Sequence, residues 1–311
     1  VPTASLKAFW AAWKSRVRRH FSLVNLRIAH TTRYAYDRPL RGECFMEARL
    51  QPLSLPGEQL CTEFALETLP AAPVFQYDQP DQMGTVQHFV LRGQPGTEIV
   101  VSAHSRVETL RARPFENINF LAEDWDTTAD AGFASAHAEW LAPTPLTLPA
   151  DEWPGPGPQP SVFAYGQALS AAIYAQFSYV PGATDVSTPL HQFVAQKRGV
   201  CQDYAHLMLA CARAQGVPAR YVSGYVWSGG DPATHGAGAT HAWAELYLPH
   251  ASQWLGFDPT NNIIVADHHV KVGVGRDYAD VPPTKGLLRG APGQPAPRET
   301  GLEVTVHVEN I

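Results

Sequence analysis

Gly199-Val200-Cys201-Gln202-Asp203-Tyr204-Ala205-His206 is followed downstream by Thr240-His241-Ala242-Trp243 and by Phe257-Asp258-Pro259-Thr260. A thiol, an imidazole and a carboxylate in that order are the parts of a cysteine nucleophile. His241 can take the thiol proton and later deliver one to a leaving amine. Asp258 can fix the imidazole tautomer and support its cation. The thiolate is the attacking species, and a cysteine at a helix start has its pKa drawn down from about 8.5 by unpaired N–H groups and the positive end of the macrodipole. Acyl transfer is the chemistry these types define.

The elements that must position them can be read from period and punctuation. Tyr204, Leu207, Met208 and Cys211 recur at helical spacing, while Gly216 and Pro218 stop the helix, which the spacing predicts over about 201–215. His241, Trp243, Glu245 and Tyr247 alternate with Ala242, Ala244, Leu246 and Leu248, a strand period that puts Trp243 beside the imidazole as a wall against water. Gln253–Asp258 reads as the return strand of a hairpin. A loop of Pro249-His250 would set His241 opposite Asp258. A loop two residues longer would pair Asp258 with Trp243 and leave His241 diagonal to it on the same face.

The remaining cysteines, Cys44, Cys61 and Cys211, read as small packing residues. His206, five residues beyond Cys201, is expected to point away from the thiol, and His268 and His269 to be solvated loop residues. No Cys-x-x-Cys, His-Glu-x-x-His, Gly-x-Ser-x-Gly, phosphate loop or acidic calcium loop is present, so neither a metal nor a cofactor is expected.

A chain of 311 residues with 45% apolar content can build about two domains. The first 20 residues carry five basic and no acidic side chains, leaving 18 basic against 29 acidic in the remainder. So acidic a body argues against nucleic-acid binding. No apolar run reaches the roughly 18 residues that cross a bilayer, and no secretory pattern opens the chain. With four scattered cysteines, this leads us to expect a cytoplasmic location. The boundaries expected are a basic tail at 1–22, a β-sandwich-like domain at 23–113, a partly helical linker at 114–160 ending in Glu152-Trp153-Pro154-Gly155-Pro156-Gly157-Pro158, a catalytic core at 161–290, and a loop and strand at 291–311. The tail is expected to be a lightly docked terminus, with a membrane-surface helix as the alternative. Oligomeric state has no readable signal.

Arg198–His206, Gly216–Tyr225, His241-Ala242-Trp243, Asp258–Asn261 and Gly275-Arg276-Asp277-Tyr278-Ala279-Asp280-Val281-Pro282-Pro283 together resemble the bacterial transglutaminase-like cysteine protease family. Arg27–Tyr36 and Asp81-Gln82-Met83-Gly84-Thr85 are similar to its β-rich N-terminal domain, with Thr85 where that family usually carries Asn. The resemblance implies an α+β fold: a papain-like, transglutaminase-like core preceded by an N-terminal β-sandwich-like domain, with Cys201, His241 and Asp258 as the triad. It implies attack on the carbonyl of a peptide or protein substrate and a thioester. Resolution by water makes the chain a hydrolase of peptide, isopeptide or side-chain amide bonds; resolution by an amine makes it a protein-glutamine transamidase. A non-catalytic peptide-binding module is the third reading. For the oxyanion, the Cys201 backbone N–H is the first donor, and Gln196, Gln202 and Tyr179 compete for the second. Trp243 and the Arg276-Asp277-Tyr278 element are candidates for the substrate cleft, Arg276 and Asp277 pairing with each other or with substrate.

Overall fold

The computed structural model describes residues 24–79, 84–93, 96–110, 118, 124–149, 153 and 155–311. The basic tail, Asp81-Gln82-Met83 of the N-terminal motif and most of residues 111–123 lie outside the described residues. The sequence-proximal strands are β1 (Val24–Tyr36), β2 (Glu43–Ala48), β3 (Gln59–Leu69), β4 (Val74–Gln79), β5 (Gly84–Arg92) and β6 (Glu98–Thr109). Three short helices follow, α1 (Trp125–Thr128), α2 (Ala131–Ala136) and α3 (Ala138–Leu141). The core then runs α4 (Val162–Gln176), β7 (Ser178–Tyr179), α5 (Leu190–Gln196), β8 (Arg198–Gly199), α6 (Cys201–Ala214), β9 (Ala219–Val226), β10 (His241–Leu248), β11 (Gln253–Asp258), β12 (Ile263–Ile264) and β13 (His269–Gly275), and β14 (Thr284–Arg289) and β15 (Glu299–Asn310) complete the described elements.

The fold is α+β. Among the described residues, one four-stranded sheet has the order β15-β1-β6-β3, and a nine-stranded sheet the order β12-β11-β10-β9-β13-β5-β2-β14, with β4 also paired to β5. β1 shows strict two-residue alternation of buried and less buried positions, as a strand with one face on a core must. The strands expected to form a sandwich therefore divide. β1, β3 and β6 build one sheet with the C-terminal β15. β2, β4 and β5 extend the core sheet, joined to it where Gly273 of β13 faces Gly84 of β5. Leu26, Ile28, Val107 and Val306 of the first sheet pack on Tyr225, Val270 and Val272 of the second.

α6 is buried from Asp203 through Arg213 on every side. Such a helix must be covered all round; it shares a core with Phe163, Leu169 and Ile173 of α4, Phe193 of α5 and Ala242, Ala244, Leu246 and Leu248 of β10. Ile118 and Trp153 join the same cluster, and Asp124 Oδ1 accepts from Val162 N at the start of α4 at 2.8 Å. The hairpin takes the longer loop, with Leu248 facing Gln253 and Ala244 facing Phe257. Continuing that register puts Trp243 opposite Asp258 and His241 on the diagonal.

Candidate active site

Cys201 is the first residue of α6, following Val200 in extended conformation (φ −125°, ψ 179°). Asp203, in the first turn, turns its Oδ2 back to accept the Val200 N–H at 2.8 Å, and Thr184 donates to the same oxygen at 2.6 Å. One of the orphan donors of the helix start is thus satisfied from below. Burial pushes the Asp203 carboxyl up to about 6 despite these bonds. Gly199 is required by packing: a Cβ there would stand 2.5 Å from Asp203 Oδ2 and 2.7 Å from Phe193. The thiol is partly buried, with Sγ 4.0 Å from the Thr240 carbonyl.

His241 Nε2 bonds Asp258 Oδ2 at 2.8 Å, both side chains fully buried. Burial alone pushes the His241 imidazole down. The charge and hydrogen bond of Asp258, followed by Cys201, overcome it and raise the pKa to about 10. The other ring nitrogen, Nδ1, is buried and has no hydrogen-bond partner. It is covered by the 227–240 loop, where Gly236 (φ +86°) passes so close that a Cβ would lie 2.3 Å from Nδ1. Asp258 is held from several directions. Oδ1 accepts from Thr260 N at 3.0 Å and Asn261 N at 3.3 Å, and Oδ2 accepts from Asn261 Nδ2 at 2.8 Å. Burial opposes its ionisation, but His241 and His269 hold the carboxyl well below the usual carboxylate range.

His269 is where the structure departs most from the sequence expectation. It is a buried strand residue, not a solvated loop one: it begins β13, and its Nε2 lies 3.2 Å from Asp258 Oδ2. The alternation His269-Val270-Lys271-Val272 was the signal available for it. His241 Nε2, Asp258 Oδ2 and His269 Nε2 lie within 4.8 Å of one another. Two imidazoles and a carboxylate also suit a metal ion, but here all three atoms are already joined by hydrogen bonds. His268 is half-buried against Trp227, their ring centroids 4.7 Å apart.

Trp243 lies as expected beside the imidazole, ring centroids 6.1 Å apart, and also 5.1 Å from His269, edge to face. The amide of Gln196 donates to Arg198 O at 2.9 Å and that of Gln202 to Asp185 O at 2.9 Å, so both are engaged with loop carbonyls. Tyr179 stacks on His235 at 4.5 Å and 18°. Burial, then the charges of Cys201, Tyr204 and Asp258, push its phenol upward. Asn261 ties His235 down, accepting its N–H at 2.8 Å and donating to its carbonyl at 3.1 Å. Arg276 pairs with Asp280 (2.9 and 3.0 Å) rather than with Asp277, which accepts from Ala279 N at 2.8 Å. Tyr278 N donates to His206 Nε2 at 3.2 Å. Burial drives the His206 imidazole down to about 3 and keeps it a neutral acceptor. Burial, Tyr34 and then Cys201 push the Tyr278 phenol up to about 12.

An antiparallel sheet bearing a His–Asp pair, with a cysteine at the mouth of a buried helix, defines a transglutaminase-like core. The chain belongs to the bacterial transglutaminase-like family: residues 157–259 match the transglutaminase-like superfamily and residues 26–108 the bacterial transglutaminase-like N-terminal region. It is 33% identical over 297 residues to an uncharacterized Mycobacterium leprae protein, covering 92% of this chain and 99% of that one. An uncharacterized Mycobacterium tuberculosis protein is 32% identical over 278 residues, 84% and 87% of the two chains. A protein-glutamine gamma-glutamyltransferase of Pseudomonas aeruginosa is 34% identical over 148 residues, 42% of this chain and 22% of that one. In fold the chain is similar to a solved candidate cysteine protease from Cytophaga hutchinsonii, with a TM-score of 0.68 at 19% identity, covering 93% and 92%. No helix among the described residues is long and apolar enough to cross a membrane.

Proposed function

We propose that the protein is a cysteine-dependent acyl-transfer enzyme that opens peptide, isopeptide or side-chain amide bonds of a peptide or protein substrate. The observation that carries this reading is the buried 2.8 Å His241–Asp258 bond, with Cys201 among the groups that raise the His241 pKa. The Cys201 thiolate attacks the carbonyl carbon. The developing oxyanion is met by the Cys201 N–H, which as a first-turn donor has no intrahelical partner, and by the Tyr179 hydroxyl. His241 gives its Nδ1 proton to the departing amine or ammonia, leaving a thioester. Water then attacks the thioester, His241 takes its proton, and the carboxylic acid is released. Trp243 and His269 wall the imidazole. Four free thiols, Cys201 among them, support work in a reducing compartment, and we infer the cytoplasm.

An amine in place of water gives transamidation on the same machinery, and the similarity of 148 residues to a protein-glutamine gamma-glutamyltransferase favours keeping this second reading. The two are separated by incubating the protein with a library of carboxamide-blocked acyl donors, with and without a primary amine, and following the products by mass spectrometry. New amine termini or ammonia released without any amine acceptor indicate hydrolysis. Amine-dependent adducts indicate transfer. Activity that survives Cys201→Ala rejects the thiol mechanism.

A further inference from the structure

Asp258 Oδ2 accepts from two imidazoles at once, His241 Nε2 at 2.8 Å and His269 Nε2 at 3.2 Å, with Asn261 Nδ2 as a third donor at 2.8 Å. Both rings are buried, and their centroids stand 6.2 Å apart. A carboxylate that serves one imidazolium has no need of a second ring. In the triad chemistry described above His269 only walls the imidazole.

We propose that His269 is a positioning residue, a second imidazole donor whose Nε2–H bond to Asp258 shares that carboxylate's charge and so sets how tightly His241 holds its proton. The geometry requires that His269 carry its hydrogen on Nε2, because Asp258 offers only acceptors. Its Nδ1 is buried with no partner, which suits the unprotonated nitrogen of a neutral ring. Burial, reinforced by the His241 and His268 charges, outweighs the pull of Asp258 and lowers its pKa, while that of His241 moves up. The two rings on one oxygen thus divide their roles: one is charged and transfers protons, the other is neutral and only donates.

The groups facing this pair are few. β10 contributes His241 and Trp243. β11 contributes Asp258, and the turn after it Thr260 and Asn261. His268 adjoins His269, while Cys201 and Tyr179 approach from α6 and β7. Lys271, two residues along β13, is engaged by Glu58 and Glu245. With the N–H donor removed, the Asp258 charge falls more fully on His241, whose imidazolium is then harder to deprotonate.

This inference rests on the triad reading, and the experiment separates the two. The protein is labelled with 15N-histidine, and its ring nitrogens are followed by NMR from pH 6 to 11, alongside the pH dependence of Cys201 alkylation by iodoacetamide. At pH 7 the wild type is expected to show His241 protonated on both nitrogens and His269 on Nε2 alone. In His269→Phe the His241 midpoint should rise by about one pH unit, a tenfold change. In His269→Gln, whose amide can still donate, it should return to within about 0.3 unit of wild type. A His269 that is cationic or protonated on Nδ1 in the wild type overturns the proposal with no variant required, and so does a midpoint unmoved in His269→Phe. Alkylation that is indifferent to His241→Ala overturns the triad reading itself.

Discussion

At His241, burial and charge act in opposite directions, and the charge prevails because Asp258 is 2.8 Å away with both side chains fully buried. The folded-state pKa of about 10 lies above the unfolded value near 6.5, so the stability this ionisation contributes is full below about pH 6.5 and is lost as pH rises toward 10. Activity should follow the same proton: kcat/KM for amide release is expected to hold through pH 9 and fall around pH 10, where the general acid is lost. A pH–rate profile checks this, and an alkaline limb near 7 would contradict it. Gly236 offers a second test at this scale. Gly236→Ala puts a methyl 2.3 Å from His241 Nδ1 on a backbone of positive φ, and should cost 10²-fold or more in kcat by displacing the imidazole, with little change in melting temperature. That His241 and Asp258 meet was legible from residue types and order alone. Gly236 was not, because a close-passing glycine has no local pattern; at His269 the alternation 269–272 signals a strand, but only the sheet brings the ring to the carboxylate.

The helix that presents the thiol is held at its start by a carboxyl rather than by the usual hydroxyl cap. Val200 has no side-chain acceptor to offer, so Asp203 supplies the bond from within the first turn, itself steadied by Thr184. Asp203→Ala should cost about 1–2 kcal/mol of stability in urea unfolding and lower kcat, since the Cys201 N–H would be free to shift. Thr184→Val, which removes only the supporting hydroxyl, should cost less. The other end of α6 is bound more strongly: Arg213 donates to the carbonyls of Trp140, Ala219 and Arg276 and to Thr147 Oγ1, joining three separate segments to one guanidinium. The limits of α6 were readable, from helical spacing in front and Gly216 and Pro218 behind. The hairpin register was readable only as a choice between two loop lengths, because a turn of Pro249-His250-Ala251-Ser252 satisfies either, and the short helical turn Pro249–Ala251 decides it.

On the scale of the whole molecule, the nine-stranded sheet is tied to its neighbour by charge as well as by apolar packing. Glu245 of β10, fully buried, pairs with Arg220 of β9 and Lys271 of β13, and Lys271 reaches on to Glu58 before β3. Glu245→Gln leaves buried cations short of their partner and should destabilise by about 3 kcal/mol, read as a lowered urea midpoint with an unchanged slope. A β-rich N-terminal stretch and, beyond the helices, a strand hairpin were readable from period and Pro/Gly punctuation. That they share one sheet was not, since pairing between Gly84 and Gly273 is a matter of topology and not of local composition. The last strand, β15, runs along nearly all of β1, and Val306 N donates to Gly238 O in the loop over His241 at 3.0 Å. Translation delivers β1 first among the described strands and β15 last. β1 therefore emerges from the ribosome with one edge unmatched and the loop over His241 unfastened, and that loop can be secured only after β15 has followed.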